Sequence, residues 1–569
     1  MDKQTYSLPA PLARSRRRED WRGLTSVRAG VINPIGVFAL LREDSIRGTF
    51  MCQVRMEEAV RTIINPVRVK MQAHLVSKYV FERFNGSMET LNRSYMGEKM
   101  PDGSAAPPWY LREAMPGNDT GHALFDKMGI HYSATADVNS DVTEAYNAVV
   151  NYRRANVSKA LPARLLTDTT LARAFWPLNK VEYIKPTFDA AMLETLVPLY
   201  GEAPVTGILV NNATATVPFS GAFRETGAAS TQTLNVLNAN QATTIAVEVL
   251  GATAGAAWPA VYANLQASGV GFSMASMRMA QDAVVLAKMR QRYTGIPDEY
   301  LIDLLMQGIR VPPEDFKLPV LIAEAETVIG QTARYATDGA SLDQSVTNGV
   351  AALRFNINTP PVNQGGYVVV TLEIVPEQLM ERQEDWSIYY YPDGTASWLP
   401  DATRDGPDPQ KVEAVTNSFV DVLHGTPDGL FGYAPLNHGW NRSLSRVGGR
   451  YKRPVPDAFV EDRQRIWTVD KVNPTLSTDF YLCPSPFPHT PFADQAADPF
   501  EVITIGQCVV TGLTVFGTGF EEDDDHYEKI MAKIDQSRLT GQGGPALVEG
   551  EEASTIPAVL PVEEGEAEE

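Results

Sequence analysis

The chain has 569 residues, 44% hydrophobic and 21% charged, with 42 glycines and 39 prolines, which is material for a sizeable core with more strands and irregular loops than a helical bundle would need. Its formal net charge is −20, and its three cysteines, Cys52, Cys483 and Cys508, are too widely spaced to suggest a disulfide framework or a zinc site. No apolar run reaches the roughly 18 residues of a membrane span, so no membrane insertion is expected. The basic residues near the start are not followed by an apolar segment, so no secretory signal is expected either, and folding in a reducing bacterial cytoplasm is compatible with this composition.

The charge is unevenly placed. Residues 1–93 carry 16 Lys and Arg against 9 Asp and Glu, about +7, which leaves about −27 for the remainder. Such asymmetry suggests two surfaces with different partners. Residues 1–24 read as a flexible basic arm in which Arg14, Arg16, Arg17, Arg18 and Arg22 are candidate contacts to a polyanion, because clustered guanidinium groups bind phosphates without needing base sequence.

From Thr25 onward, β-branched runs are separated by Asn-Pro, Asp-Ser and Arg-Gly breaks. Gln53, Arg55 and Glu57 alternate with Cys52, Val54 and Met56, and Val67, Val69 and Met71 alternate with Arg68 and Lys70. This is the period of half-buried strands. Residues 94–135 are turn-rich and read as an insertion around a short helix at HALFDKMGI. The segment DVTEAYNAVVNYRRANV predicts a helix with Ala145, Ala148, Val149 and Tyr152 on one face. Residues 186–271, rich in Ala, Thr, Asn and Gly, read as a second insertion between core strands.

The most strongly patterned stretch is Phe272–Gln331. Met279, Ala280, Ala283, Val284, Leu286 and Ala287 form the apolar face of an expected helix that Gly295 stops. A second helix opens at Pro297, Asp298 and Glu299, carries Tyr300, Leu301, Leu304 and Leu305 on its apolar side, and ends at Gly308. Pro312 and Pro313 forbid further helix, and Leu318–Ala323 reads as a strand. Residues 332–365 look loop-like. Tyr367–Ile374 alternates strongly and predicts a strand. The tail from Gly541 carries eight Glu and no Lys or Arg, and residues 541–569 read as solvated and disordered.

Several of these segments resemble the major capsid proteins of microviruses, the small icosahedral single-stranded DNA phages. AGVINPIGVF, REDSIRGTFMCQVRM, IINPVRVKM and YVFERFNG are similar in order and spacing to the family's opening strands. MRQRYTG, IPDEYLIDLL, IRVPPEDF and LPVLIAEAETVIGQT are similar to the basic-aromatic end of its long helix, its short helix, its basic-proline segment and the extended stretch that follows. Phe431, Gly432, Tyr433, Trp440, Ser445, Arg446, Val447 and Gly449 occupy the places of its aromatic-Gly-Tyr and Ser-Arg-Val-Xaa-Gly segment. The closing block around Leu513–Gly519 matches loosely, and PSPFPHTPFADQAADP departs from the pattern.

The resemblance implies a mainly β fold, the viral jelly roll: an eight-stranded antiparallel β-barrel over residues 25–540, with long loop insertions and a few helices. It also implies a structural, non-enzymatic role as a self-assembling major capsid protein. The implied partners are further copies of the chain in pentamers and a T=1 icosahedral shell, viral circular single-stranded DNA, other virion or scaffolding proteins, and the host-cell surface. The implied location is the virion, assembled in the host bacterial cytoplasm.

No GxSxG elbow, HExxH, P-loop or EF-hand loop occurs, and no cofactor is expected. Gly269-Val270-Gly271 lacks the third glycine of a dinucleotide loop. The seven histidines show no ligand spacing, and Asp523–Asp525 with His526 reads as a solvated charge run rather than a cation site. The alternative class, an extracellular β-sandwich carbohydrate-binding module or glycosidase, would call for a secretory signal and a concave acidic-aromatic site.

Overall fold

The structure is a computed structural model. It describes residues 13–187, 202–204, 262–264 and 278–517, apart from short internal stretches of which the longest is 389–411. Contacts gather Met1–Thr514 into one compact unit. The acidic tail, most of the expected insertion at 186–271 and the Asp523–Asp525 run lie outside the described residues.

Among the described residues, nine long strands build the two main sheets: β1 (Ser15–Val27), β2 (Val31–Leu40), β3 (Ser45–Ala59), β4 (Val67–Ser77), β5 (Val320–Val328), β6 (Gly330–Tyr335), β7 (Ser345–Asn358), β8 (Gly366–Pro376) and β9 (Phe500–Gly512). They form two antiparallel sheets. One has the order β1-β9-β3-β7-β6. The other has the order β5-β4-β8-β2 and ends on the two-residue strand Ala172–Arg173. The fold is therefore mainly β, and strands within 25–90 and 366–512 pair with one another in the same two sheets.

The pairing is nested. β1 pairs with β9, β2 with β8, β3 with β7 and β4 with β5, so each early strand meets a progressively nearer late one. The inward residues of both sheets meet in one core, where Phe38 meets Phe50 edge-on and Phe50 stacks on Phe355 at 6.0 Å between ring centroids. Trp467, fully buried, stacks on Phe500, meets Phe487 and Phe492 edge-on, and donates from Nε1 to the Pro488 carbonyl at 2.8 Å. Burying such aromatic surface is the main favourable term holding the layers together.

Two glycines mark places where backbone meets something at close range. Gly30 turns the chain between β1 and β2 at φ +77°, and a Cβ there would lie 2.3 Å from the Phe487 ring. At Gly48 a Cβ would lie 2.2 Å from the Gln507 carbonyl oxygen, so β3 and β9 can pair closely only without a side chain.

The described helices of six or more residues are α1 (Met88–Met96), α2 (Ala123–Met128), α3 (Asp141–Val157) and α4 (Glu299–Met306). The expected helices at 123–128 and 141–157 are present, with Ala145, Ala148 and Val149 buried and Tyr152 half-buried. In α4 the buried pair is Leu301 and Ile302, while Tyr300, expected inward, is exposed. Much of the preceding helix lies outside the described residues. Its described Val285, Leu286 and Met289 are exposed, which corrects the expected inward placement of Leu286.

α3 covers the outer face of the second sheet. Val76, Tyr367 and Val369 pack against Ala145, Ala148 and Val149, which is why every residue of β8 is buried although its sequence alternates. The N-terminus of α3 is pinned by buried charge: Lys78 and Arg83 both bond Asp141, and Arg83 also bonds Glu144 at 2.9 Å. Lys78 sits among the Phe81, Trp109, Tyr110 and Tyr367 rings. Burial pushes its ammonium pKa down, and Asp141 opposes that shift.

Two further expectations need correction. Residues 332–365 are not loop: they hold most of β6 and all of β7. The alternation of inward Ala351, Leu353, Phe355 and Ile357 was masked by Gly349 and by Asn348, Asn356 and Asn358. The basic arm is not free either, because from Ser15 it is the edge strand β1, registered residue for residue on β9.

Candidate nucleic-acid interface

β1 alternates strictly. Arg16, Arg18, Asp20, Arg22, Leu24 and Ser26 are exposed, and Arg17, Glu19, Trp21, Gly23 and Thr25 are half-buried. This splits the five candidate arginines. Arg17 points inward, donating to the fully buried Asp44 carboxylate at 2.7 Å, to Thr514 Oγ1 at 3.0 Å and to the Ala39 carbonyl at 3.2 Å. Asp44 also accepts the Leu41 amide at 2.7 Å. Arg17 thus closes one end of the sandwich and is withdrawn from any partner. Arg14, just before the strand, is paired with Glu43 at 3.0 Å. Arg16, Arg18 and Arg22 share the outer face of the first sheet.

Register brings three more arginines to that face. Arg22 stands opposite Ile505, Ile505 opposite Met51, and Met51 opposite Arg354. Arg18 stands opposite Val509, Val509 opposite Arg47, and Arg47 opposite Asn358, whose Oδ1 it reaches at 3.4 Å. Arg55 lies between Glu501 and Val350. The face therefore carries Arg16, Arg18, Arg22, Arg47, Arg55 and Arg354 against the carboxylates Asp20, Glu57 and Glu501, and all nine of these residues are exposed. Among the described residues no helix covers it as α3 covers the other sheet: Leu24 is 76% exposed, Val350 49% and Met51 45%.

Among the described residues, none of the six arginines has an ion-pair partner. Other arginines of this acidic chain are neutralised, among them Arg28 with Asp498, Arg68 with Glu326, Arg153 with Glu373 and Arg173 with Asp479. A row of unpaired guanidiniums on a sheet is a fixed array of positive charge suited to an anionic polymer. Arg47, Arg55 and Arg354 were not singled out in the sequence. The only trace there was the outward half of the alternation at Gln53, Arg55 and Glu57, which says which way a side chain points but not what stands beside it.

No group of three His, Cys, Asp or Glu forms a metal site among the described residues. The three cysteines are free and buried. Burial pushes the Cys52 thiol up to about 12 and the Cys508 thiol up to about 11, far from the thiolate a nucleophile needs. Comparison with models of known protein families and with curated proteins returns no match.

Proposed function

We propose that the chain is a structural virion protein, the major capsid protein of a small icosahedral single-stranded DNA phage, folded as a viral jelly roll. The reading makes it a self-assembling subunit of a T=1 shell around circular single-stranded DNA, with no turnover of its own. The observation that carries it is the nested strand pairing. Setting β6 aside as an added edge, the eight remaining strands run β1-β9-β3-β7 in one sheet and β5-β4-β8-β2 in the other, the order produced when one long antiparallel ribbon is rolled up as a double Greek key. The connections that leave this frame are long at β4–β5 and β8–β9, which suits a subunit whose loops make contacts to its neighbours. The similarity of its motifs to microvirus capsid proteins supports the same reading.

The test is assembly. Purified full-length protein is examined by sedimentation velocity and negative-stain electron microscopy. Closed shells or five-subunit precursors are expected. A protein that stays monomeric at high concentration, alone and with the other proteins of its virion, overturns the proposal.

A further inference from the structure

Resting on that reading, we infer that the genome is held by the uncovered face of the first sheet, through Arg16, Arg18, Arg22, Arg47, Arg55 and Arg354, and that this face selects single-stranded over duplex DNA. Three observations lead there. The six arginines come from three strands far apart in sequence and converge on one face. Among the described residues they have no carboxylate partner, in a chain of formal charge −20, which leaves their charge open to a partner of opposite sign. Arg14 and Arg17, although in the same basic run, are already engaged by Glu43 and Asp44.

The selectivity follows from shape and composition. Neighbouring strands lie about 4.8 Å apart and alternate residues about 6.8 Å apart, so the arginines are staggered over the sheet face across three strands rather than along one line. A stiff duplex touches such a surface along one line and reaches few of them. A flexible single strand can lie down across several. The gaps between arginines are filled by exposed Leu24, Met51, Val350, Ile505 and Val509, which can contact unstacked bases that a duplex hides, while guanidinium planes offer stacking. The contacts are to phosphates and base faces, so base sequence is not read.

The test uses unassembled full-length protein, a labelled 30-nucleotide oligodeoxythymidine, a duplex of the same length and a polyglutamate competitor, across a salt series. Six phosphate contacts to a single strand give a slope of log affinity against log salt of about −4, and three give about −2. The variant R47A/R55A/R354A is expected to halve the slope and to weaken binding at least tenfold at about 100 mM salt. R16Q/R18Q/R22Q should do the same, and R14A should bind as the parent does. Circular dichroism establishes that each variant is folded.

Parental affinity in both triple variants, a duplex bound as tightly as the single strand, or triple variants that lose only self-association overturns the inference. Shell formation is scored separately by microscopy. Shells that form empty from the triple variants support both readings. Shells that fill normally sink the DNA face and leave the capsid reading intact. A parent that forms no shells but loses DNA binding in the triple variants sinks the capsid reading and leaves the face.

Discussion

Replacing Arg17 by alanine should separate a structural arginine from its neighbours. Asp44 is fully buried and depends on two strong donors, the Arg17 guanidinium at 2.7 Å and the Leu41 amide at 2.7 Å. Removing one partner of a buried pair typically costs about 3–5 kcal/mol, because the remaining charge is left uncompensated. Here the Arg17 side chain keeps 16% of its surface exposed and the Leu41 amide remains, so about 2–3 kcal/mol is expected. Arg18, one residue on, is exposed and has no ion-pair partner among the described residues, and its alanine variant should lie within about 0.5 kcal/mol of the parent. Urea unfolding of the unassembled subunit, followed by tryptophan fluorescence, measures both. The double variant R17A/D44A closes the cycle and should show a coupling above about 1 kcal/mol. Equal stabilities for R17A and R18A would refute the placement of β1, since a free arm makes all its arginines equivalent.

Trp467→Ala should cost about 3–5 kcal/mol, because it empties the centre of a cluster of four aromatic rings; a loss below 1 kcal/mol in the same urea assay contradicts that packing. Gly48→Ala should destabilise by more than about 1 kcal/mol, and thermal melting that leaves it unchanged would mean that β3 and β9 are further apart than described. Burial pushes the His74 imidazole down to about 3, with Arg153 and Lys70 acting in the same direction against Glu324. The unfolded chain binds a proton below pH 6.5 that the folded one refuses, so stability falls as pH drops, by about 1.4 kcal/mol per unit. His489 is shifted in the same direction, also chiefly by burial. His74→Gln should therefore flatten, without abolishing, the loss of stability between pH 6.5 and 4.5, and an unchanged slope assigns that loss elsewhere. Finally, native protein at pH 8 should resist thiol labelling, and all three cysteines should react in guanidinium; mass spectrometry showing a labelled Cys52 in folded protein rejects its buried setting.

Local sequence settled what depends only on neighbours along the chain. The alternation at 52–57, 67–71 and 367–374 marked strands because one side of each meets the core, and the Ala-rich face at 145–149 marked a helix because it meets a sheet. Caps and prolines bounded α4 for the same local reason. The chain alone could not show that Ser15–Val27 is a strand. Its run of arginines carries no apolar alternation until Trp21, and its partner β9 lies hundreds of residues away, with Trp21 donating to Thr504 at a separation of 483 residues. It could not show that 345–358 pairs with β3, since glycine and asparagine hide the pattern. Nor could it sort Arg17 from Arg16 and Arg18, because which face of a strand is inward is fixed by the sheet it joins. The arginine face is the clearest case. β1 supplies three of its arginines, β3 two and β7 one, and only their register, with β9 between β1 and β3, places them on one face.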